Sequence, residues 1–122
     1  MAAIGGKDTK PEMVVRKLLH AAGYRYRLHA KELPGKPDLV FPARRAVIFV
    51  NGCFWHGHDC PRGRPAAKTN AAFWAEKISK NKARDARNAA ALRKAGWRVL
   101  TVWQCRLKKP VLLQRLTKFL ER

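Results

Sequence analysis

The sequence predicts a single α/β domain built around a mixed β-sheet. Two short apolar runs rich in β-branched residues, DLVF and AVIFV, stand close together in the chain, and a third, WRVLTVW, comes near the C-terminus. Segments with helical apolar spacing precede and follow these runs, and a long Ala-, Lys- and Arg-rich segment separates them. Helices alternating with buried strands indicate a sheet covered by helices. A chain of 122 residues is about the size of one domain, here 1–122.

The N-terminal half predicts a helix followed by three strands. Thr9 is a candidate helix N-cap, and Glu12 stands three residues later, which is the spacing of a capping box. An apolar helical stripe follows, and Gly23 ends it. YRYRL alternates apolar and charged residues like a half-exposed strand, and ELPGKP has the composition of a turn. DLVF and AVIFV, joined by PARR, predict a hairpin of buried strands.

The C-terminal half predicts helices on either side of one more strand. A Pro-, Gly- and Arg-rich loop, PRGRPAAKTN, leads into residues 71–95, which lack Pro and Gly and predict one long helix or two stacked ones. Gly96 ends this helical segment, and WRVLTVW follows as a core strand. Pro110 is suited to the first turn of a final amphipathic helix, PVLLQRLTKFLER. No internal repeat or low-complexity segment interrupts this order.

The net charge indicates a polyanionic partner. Lys and Arg number 27 against 8 Asp and Glu, a formal charge of +19 spread along the whole chain. A positive charge of this size attracts nucleic acid, because each phosphate that the protein neutralises releases condensed counterions. An acidic membrane surface is a second possible partner, but no basic amphipathic helix with an aromatic face supports it. A third possibility is a ribosomal-type or merely basic protein. Without a signal peptide or a membrane-length apolar run, we expect a cytoplasmic, bacterial-type and nucleoid-associated protein.

The stretch NGCFWHGHDC, residues 51–60, combines the ligand types of a metal site. Cys53, His58 and Cys60 lie within one turn region, and thiolate and imidazole ligands favour zinc. Cys105, just past WRVLTVW, is the candidate fourth ligand if the neighbouring strand ends at the same edge. His56 competes with His58 for the third position, and spacing alone leaves this open. An odd number of cysteines makes disulfides a poor interpretation. The alternative to a metal site is therefore three buried free cysteines and an incidental histidine.

Asp38 is a candidate ligand for a second metal. It opens the first of the two paired strands, directly after PGKP, and a carboxylate there is suited to Mg²⁺. Magnesium at a scissile phosphate polarises it and activates water. From position alone, however, an aspartate that ends the turn is the simpler interpretation.

Four blocks of the chain resemble the very short patch repair endonucleases: PGKPDLVF, AVIFVNGCFWHGHDC, FWAEKISKNKARD and GWRVLTVWQC. The resemblance runs in unbroken order over about residues 9–107. It implies a restriction-endonuclease-like fold, with a central mixed β-sheet flanked by helices and a structural zinc site. It also implies a Mg²⁺-dependent, zinc-containing enzyme that hydrolyses one phosphodiester of double-stranded DNA beside a T:G mismatch. We expect it to act as a monomer.

The resemblance also assigns roles to the residues that would hold metal or move protons. Asp38 matches the carboxylate that binds magnesium, and Val50 matches a position whose backbone carbonyl completes the magnesium shell. His56 falls on the catalytic histidine, the expected general base toward the attacking water, and Glu12 matches an acidic residue near the active site. The family's zinc ligands match Cys53, His58, Cys60 and Cys105.

Five further positions match residues of the family that contact DNA. Phe54 and Trp55 match an aromatic wedge that enters the base stack, where an apolar slab replaces lost stacking. The alternative for two adjacent aromatics is core packing. Trp74, Lys77 and Asn81 are spaced at i, i+3 and i+7 and match residues that contact DNA around the mismatch. Nothing but the resemblance distinguishes that helical face from an ordinary basic helix.

The chain departs from the family pattern at two places. Asn51 occupies a catalytic position where relatives carry an aspartate or a histidine, and an amide neither carries charge nor acts as a base. The lead before GGKDTKPE is short, and we expect residues 1–8 to be flexible, which weakens the expectation of mismatch grip. A related nickase without mismatch preference is therefore one alternative, and a non-catalytic, zinc-stabilised DNA-binding module, motivated by Asn51, is another.

Overall fold

A computed structural model of the chain describes residues 9–53 and 71–121. Within these ranges the chain forms three α-helices and four β-strands. In chain order they are α1 (Lys10–Ala21), β1 (Arg27–Leu28), β2 (Leu39–Phe41), β3 (Ala46–Asn51), α2 (Ala71–Lys94), β4 (Arg98–Trp103) and α3 (Lys109–Leu120).

The four strands form one mixed sheet in the order β1-β2-β3-β4. β1 pairs antiparallel with β2, and β2 pairs antiparallel with β3, so the predicted DLVF–AVIFV hairpin is confirmed. β3 and β4 are parallel, from Ala46↔Arg98 to Asn51↔Trp103. α2 lies between them in the sequence, as a parallel connection requires a crossover. The prediction of an α/β fold with a mixed sheet is confirmed, and the arrangement is compatible with a restriction-endonuclease-like fold.

The two faces of the sheet bury separate apolar clusters. On one face, side chains of α1 and α3 pack against alternate strand residues such as Leu39, Ile48 and Val102. On the other, Leu92 of α2 packs with Val40 and Val47, the positions whose side chains point the opposite way. Strands covered on both faces account for their continuous apolar sequence. Within the described residues, no helix combines the length and apolarity needed to cross a membrane.

One local feature differs from the sequence predictions, and the structure also specifies two features that the sequence left open. The predicted YRYRL strand is confined to Arg27–Leu28, because its partner β2 ends at Phe41 and Pro42, which follows, has no N–H with which to continue the ladder. The PARR connection is a 3-10 turn over Pro42–Arg44, and Arg45 after it adopts a left-handed conformation at φ 52°. Residues 71–94 form one helix rather than two stacked ones.

Candidate active site

Three separated parts of the chain meet at a group of two carboxylates and one imidazole. Glu12 comes from the first turn of α1, His29 directly follows β1, and Asp38 directly precedes β2. One ligand atom from each of the three side chains lies within 4.8 Å of the other two. We call these three residues the Glu12–His29–Asp38 group. Of the residues that the structure describes, they alone form such a group of possible metal ligands.

Glu12 is a buried carboxylate with an imidazole and a guanidinium beside it. The Thr9 hydroxyl caps α1 by accepting a hydrogen bond from the Glu12 backbone N–H at 3.4 Å, which confirms Thr9 as the N-cap. The Glu12 side chain is 2 % exposed, and its Oε2 lies 2.7 Å from His29 Nε2 and 3.6 Å from Arg16 Nη1. A buried charge needs such partners, because removing a carboxylate from water costs several kcal/mol. The first turn of α1 therefore presents Glu12 to the group in a fixed position.

His29 is held beside Asp38 by the pairing of β1 with β2. The register Leu28↔Leu39 continues for one more step, so that the His29 backbone N–H donates to the Asp38 carbonyl at 3.1 Å. His29 has a left-handed backbone at φ 48°, an uncommon conformation in which histidine is enriched. The residue stands outside any recognisable motif. Only the β1–β2 register, extended to residues 29 and 38, would have revealed it in the sequence.

Asp38 is oriented by the end of β3. Its Oδ2 accepts a hydrogen bond from the Val50 backbone N–H at 2.7 Å. The resemblance assigns the Val50 carbonyl to a magnesium shell, which stays a prediction; the contact to Asp38 is made by the amide of the same residue. Carboxylate oxygens from Asp38 and Glu12 are the donors that a hard divalent cation prefers, and an imidazole nitrogen suits transition metals. The donor set of the group therefore fits a divalent cation.

The ends of β3 and β4 bring two of the predicted zinc ligands to the same edge of the sheet. Asn51 pairs in register with Trp103, and its carbonyl accepts a hydrogen bond from the Gln104 N–H at 3.0 Å. Cys53 and Cys105 each follow this pair by two residues; Cys53 is buried and Cys105 is exposed. The side chain of Asn51 is itself buried in this corner. The remaining predicted residues here, Phe54, Trp55, His56, His58 and Cys60, lie outside the described residues, as do residues 1–8.

The predicted DNA-contacting residues of α2 differ in exposure. Trp74 and Asn81 are partly buried, on the same side of α2 as the buried Ile78. Lys77 is exposed, with its ammonium 5.9 Å from the centroid of the Phe73 ring. Phe73, which the sequence analysis did not single out, is 57 % exposed and meets Trp74 edge to face at 5.1 Å between centroids. The start of α2 thus presents an aromatic ring and a cation to solvent.

Comparison with known proteins places this geometry in a family. The family model described as DNA mismatch endonuclease Vsr matches residues 1–62, which include Glu12, His29 and Asp38. The chain belongs to the Vsr family of DNA endonucleases. The resemblance noted in the sequence is thereby confirmed, and so is the prediction of a DNA endonuclease. This membership favours an enzyme over a non-catalytic DNA-binding module.

Three relatives show how far the similarity extends. The Type II nicking enzyme V.XorIIP of Xanthomonas oryzae pv. oryzae is 56 % identical over 107 residues, which cover 88 % of this chain and 78 % of the relative. The Type II nicking enzyme V.NmeAIP of Neisseria meningitidis is 46 % identical over 119 residues, or 97 % and 84 % of the two chains. The DNA mismatch endonuclease Vsr of Escherichia coli is 46 % identical over 109 residues, or 88 % and 69 %.

Proposed function

We propose that this endonuclease nicks one strand of duplex DNA beside a T:G mismatch and that it uses Mg²⁺ to do so. The observation that carries the proposal is the Glu12–His29–Asp38 group, whose ligand atoms lie within 4.8 Å of one another at the meeting of α1, β1 and β2. The family description as a mismatch endonuclease supports the substrate, and the +19 charge of the chain suits a polyphosphate.

In this proposal Asp38 and Glu12 hold the cation. The Val50 amide fixes the Asp38 carboxylate from one side, and the start of α1 fixes Glu12 from the other, so neither ligand has to be ordered when the cation binds. When bound, Mg²⁺ supplies Lewis-acid polarisation of the scissile phosphate and lowers the pKa of a water. Preformed carboxylates of this kind reduce the reorganisation that the reaction requires.

His56 is the proposed general base, on the resemblance alone. Its imidazole takes a proton from the attacking water, the water oxygen bonds to phosphorus, and one ester bond of the phosphodiester breaks. Phe54 and Trp55 are the proposed wedge, and Lys77 with Trp74 and Asn81 the proposed contacts of α2 to DNA.

A structural zinc ion is proposed at the ends of β3 and β4. The parallel register brings Cys53 and Cys105 to the same edge, which supports their sharing one ion with His58 and Cys60. Thiolate and imidazole ligands form closed tetrahedral zinc sites that contribute to folding rather than to catalysis. Such a site would tie the turn after β3 to the sheet.

A nickase without mismatch preference is the second candidate function. The observation that favours it is the similarity to V.XorIIP and V.NmeAIP, which are named Type II nicking enzymes, the former at 56 % identity. The proposed cation site is the same in both functions, so the two differ only in how the duplex is selected.

Nicking of matched and mismatched duplexes tests the proposal. Labelled T:G and T:A duplexes in several sequence contexts are incubated with the full chain, with Mg²⁺ or with EDTA, and the strands are separated by denaturing electrophoresis. We expect a single-strand cut in T:G duplexes with Mg²⁺ and none with EDTA. Equal cutting of T:A duplexes would favour the second candidate, and undiminished cutting in EDTA would contradict the metal dependence.

A further inference from the structure

We propose that His29 is a direct ligand of the cation held by Asp38, and that its nitrogen makes this site bind Mn²⁺ more tightly than an all-oxygen site would. The inference rests on the proposed function, because it concerns the same cation site. The inference goes beyond the proposed function because it adds a third protein ligand and predicts that the site binds Mn²⁺ and Mg²⁺ with different affinity.

The distances within the group fit three ligands of one ion. Two adjacent ligands of an octahedral cation with bonds of about 2.1–2.2 Å are separated by about 3 Å, and two opposite ligands by about 4.3 Å. His29 Nε2 and Glu12 Oε2 are 2.7 Å apart, close to the separation of adjacent ligands. All three ligand atoms lie within 4.8 Å of one another, so no two of them are much farther apart than opposite ligands would be. Only small shifts of the side chains would place one cation among all three.

The backbone fixes His29 in position for this role. Its N–H donates to the Asp38 carbonyl at 3.1 Å, and the next residue, Ala30, donates to the Pro37 carbonyl at 3.3 Å. These two bonds lie just beyond the last paired residues of β1 and β2 and keep residue 29 beside residue 38. The left-handed backbone at φ 48° is the kind of uncommon conformation that persists where neighbouring structure enforces it. The imidazole is 17 % exposed, so solvent still reaches it.

The chemistry of an imidazole ligand leads to the metal preference. Mg²⁺ is a hard cation that favours oxygen ligands and gives up its waters reluctantly, whereas first-row transition metals accept imidazole nitrogen readily. A site with two carboxylates and one imidazole therefore gains more affinity for Mn²⁺ than for Mg²⁺ from its histidine. A histidine that only hydrogen-bonded to Glu12 would favour neither metal over the other.

Titration with Mn²⁺ in the absence of DNA tests the inference. Free Mn²⁺ is followed by electron paramagnetic resonance with the full, zinc-loaded chain, and Mg²⁺ affinity is measured by displacement of Mn²⁺. His29→Gln replaces the nitrogen with an amide that still donates to Glu12. We expect it to weaken Mn²⁺ binding by about 10-fold or more and Mg²⁺ binding by less than about 3-fold. His20→Gln, an exposed histidine on α1 outside the group, is the matched control and should change neither affinity.

Two further variants keep the outcome decisive. Asp38→Asn should weaken binding of both metals, and Mn²⁺ binding that survives it would place the ion elsewhere and overturn the inference. His29→Asn tolerates the left-handed backbone, so it replaces His29→Gln if that variant melts at a lower temperature than the native chain. An unchanged ratio of Mn²⁺ to Mg²⁺ affinity in either His29 variant would overturn the role of His29 as a ligand.

The binding measurement also separates this inference from the proposed function. If T:G duplexes are not preferred but the His29 variants lower the Mn²⁺ affinity selectively, the inference stands and the substrate proposal fails. If nicking is Mg²⁺-dependent and mismatch-specific but the affinity ratio is unchanged, only the inference fails.

Discussion

Replacing Asp38 by asparagine and by alanine should separate its role in metal binding from its role in folding. The Asp38 carboxylate accepts the Val50 N–H at 2.7 Å through Oδ2. Asparagine has the same shape and keeps an oxygen that accepts this bond, but it removes the negative charge. Alanine removes both, so it leaves the Val50 amide without this acceptor. The two variants therefore differ mainly in one hydrogen bond, whereas both lack the proposed metal ligand.

The magnitudes follow from that difference. Leaving a part-buried amide without its acceptor costs about 1–3 kcal/mol, which lowers the Tm of a domain of this size by roughly 4–12 °C. Asp38→Asn should melt within about 2 °C of the native chain, because its bond to Val50 is kept. Loss of a charged metal ligand should lower nicking by at least about 100-fold in both variants, or ~2.7 kcal/mol of transition-state stabilisation.

The assays are thermal unfolding by circular dichroism and single-turnover nicking with Mg²⁺. Nicking by Asp38→Asn at near-native rate would refute the assignment of Asp38 as a metal ligand. If Asp38→Ala were as stable as Asp38→Asn, the Val50 contact would contribute nothing to folding, and the argument that β3 orients Asp38 would be wrong.

Four further substitutions test the folding argument and the proposed zinc site. Gly23→Ala, at φ 93° with no atom within 4 Å of the added Cβ, should cost about 1 kcal/mol in chemical denaturation. Gly35→Ala should cost at least about 1 kcal/mol more, because its Cβ would lie 3.0 Å from the Asn88 side chain; equal costs would refute close packing of PGKPD on α2. The hydrogen bond from Tyr24, reinforced by a nearby arginine, lowers the pKa of Glu121, so its stabilising effect is present above the unfolded pKa and lost as pH falls through the folded one. The Tm difference between native chain and Glu121→Gln should therefore shrink from pH 7 toward about pH 3, and a constant difference would contradict this. Cys105→Ser should abolish binding of one zinc per chain, measured by atomic emission, and lower Tm by more than about 10 °C; full zinc content would exclude Cys105 as a ligand.

The central strands of the sheet could be predicted from the sequence because they are apolar along almost their whole length. β2 and β3 consist almost entirely of apolar residues, and β3 is covered by helices on both faces, so the apolar runs marked them directly. The edge strand was harder to predict. Tyr24 and Tyr26 do alternate inward as the pattern YRYRL indicated, but backbone pairing also depends on the partner. Pro42 ends that partner after Phe41, and a strand pattern alone contains no such information.

The candidate site could be predicted only in part, because its three residues are distant in the sequence and come together only when the chain folds. The family resemblance assigned Asp38 and Glu12 to the active site, whereas nothing in the sequence singled out His29. Its place in the group depends on the β1–β2 register, which the turn between the strands determines. Spacing patterns point to candidate ligands that share a turn, such as those proposed in residues 51–60. They miss a ligand contributed by the opposite strand of a ladder.

The end of β3 connects the proposed cation site to the proposed zinc site. Val50 donates its amide to Asp38, the Asn51 carbonyl accepts the Gln104 amide, and Cys53 follows two residues later. A zinc ion shared by Cys53 and Cys105 would therefore hold the two strand ends together within three residues of the Asp38 contact. Because Cys53 is buried and only three residues from Val50, fixing it would also restrict the Val50 amide beside Asp38. If NGCFWHGHDC holds the proposed zinc ligands, structural zinc at this edge would therefore also reduce the freedom of the Asp38 carboxylate, the proposed ligand of the catalytic cation.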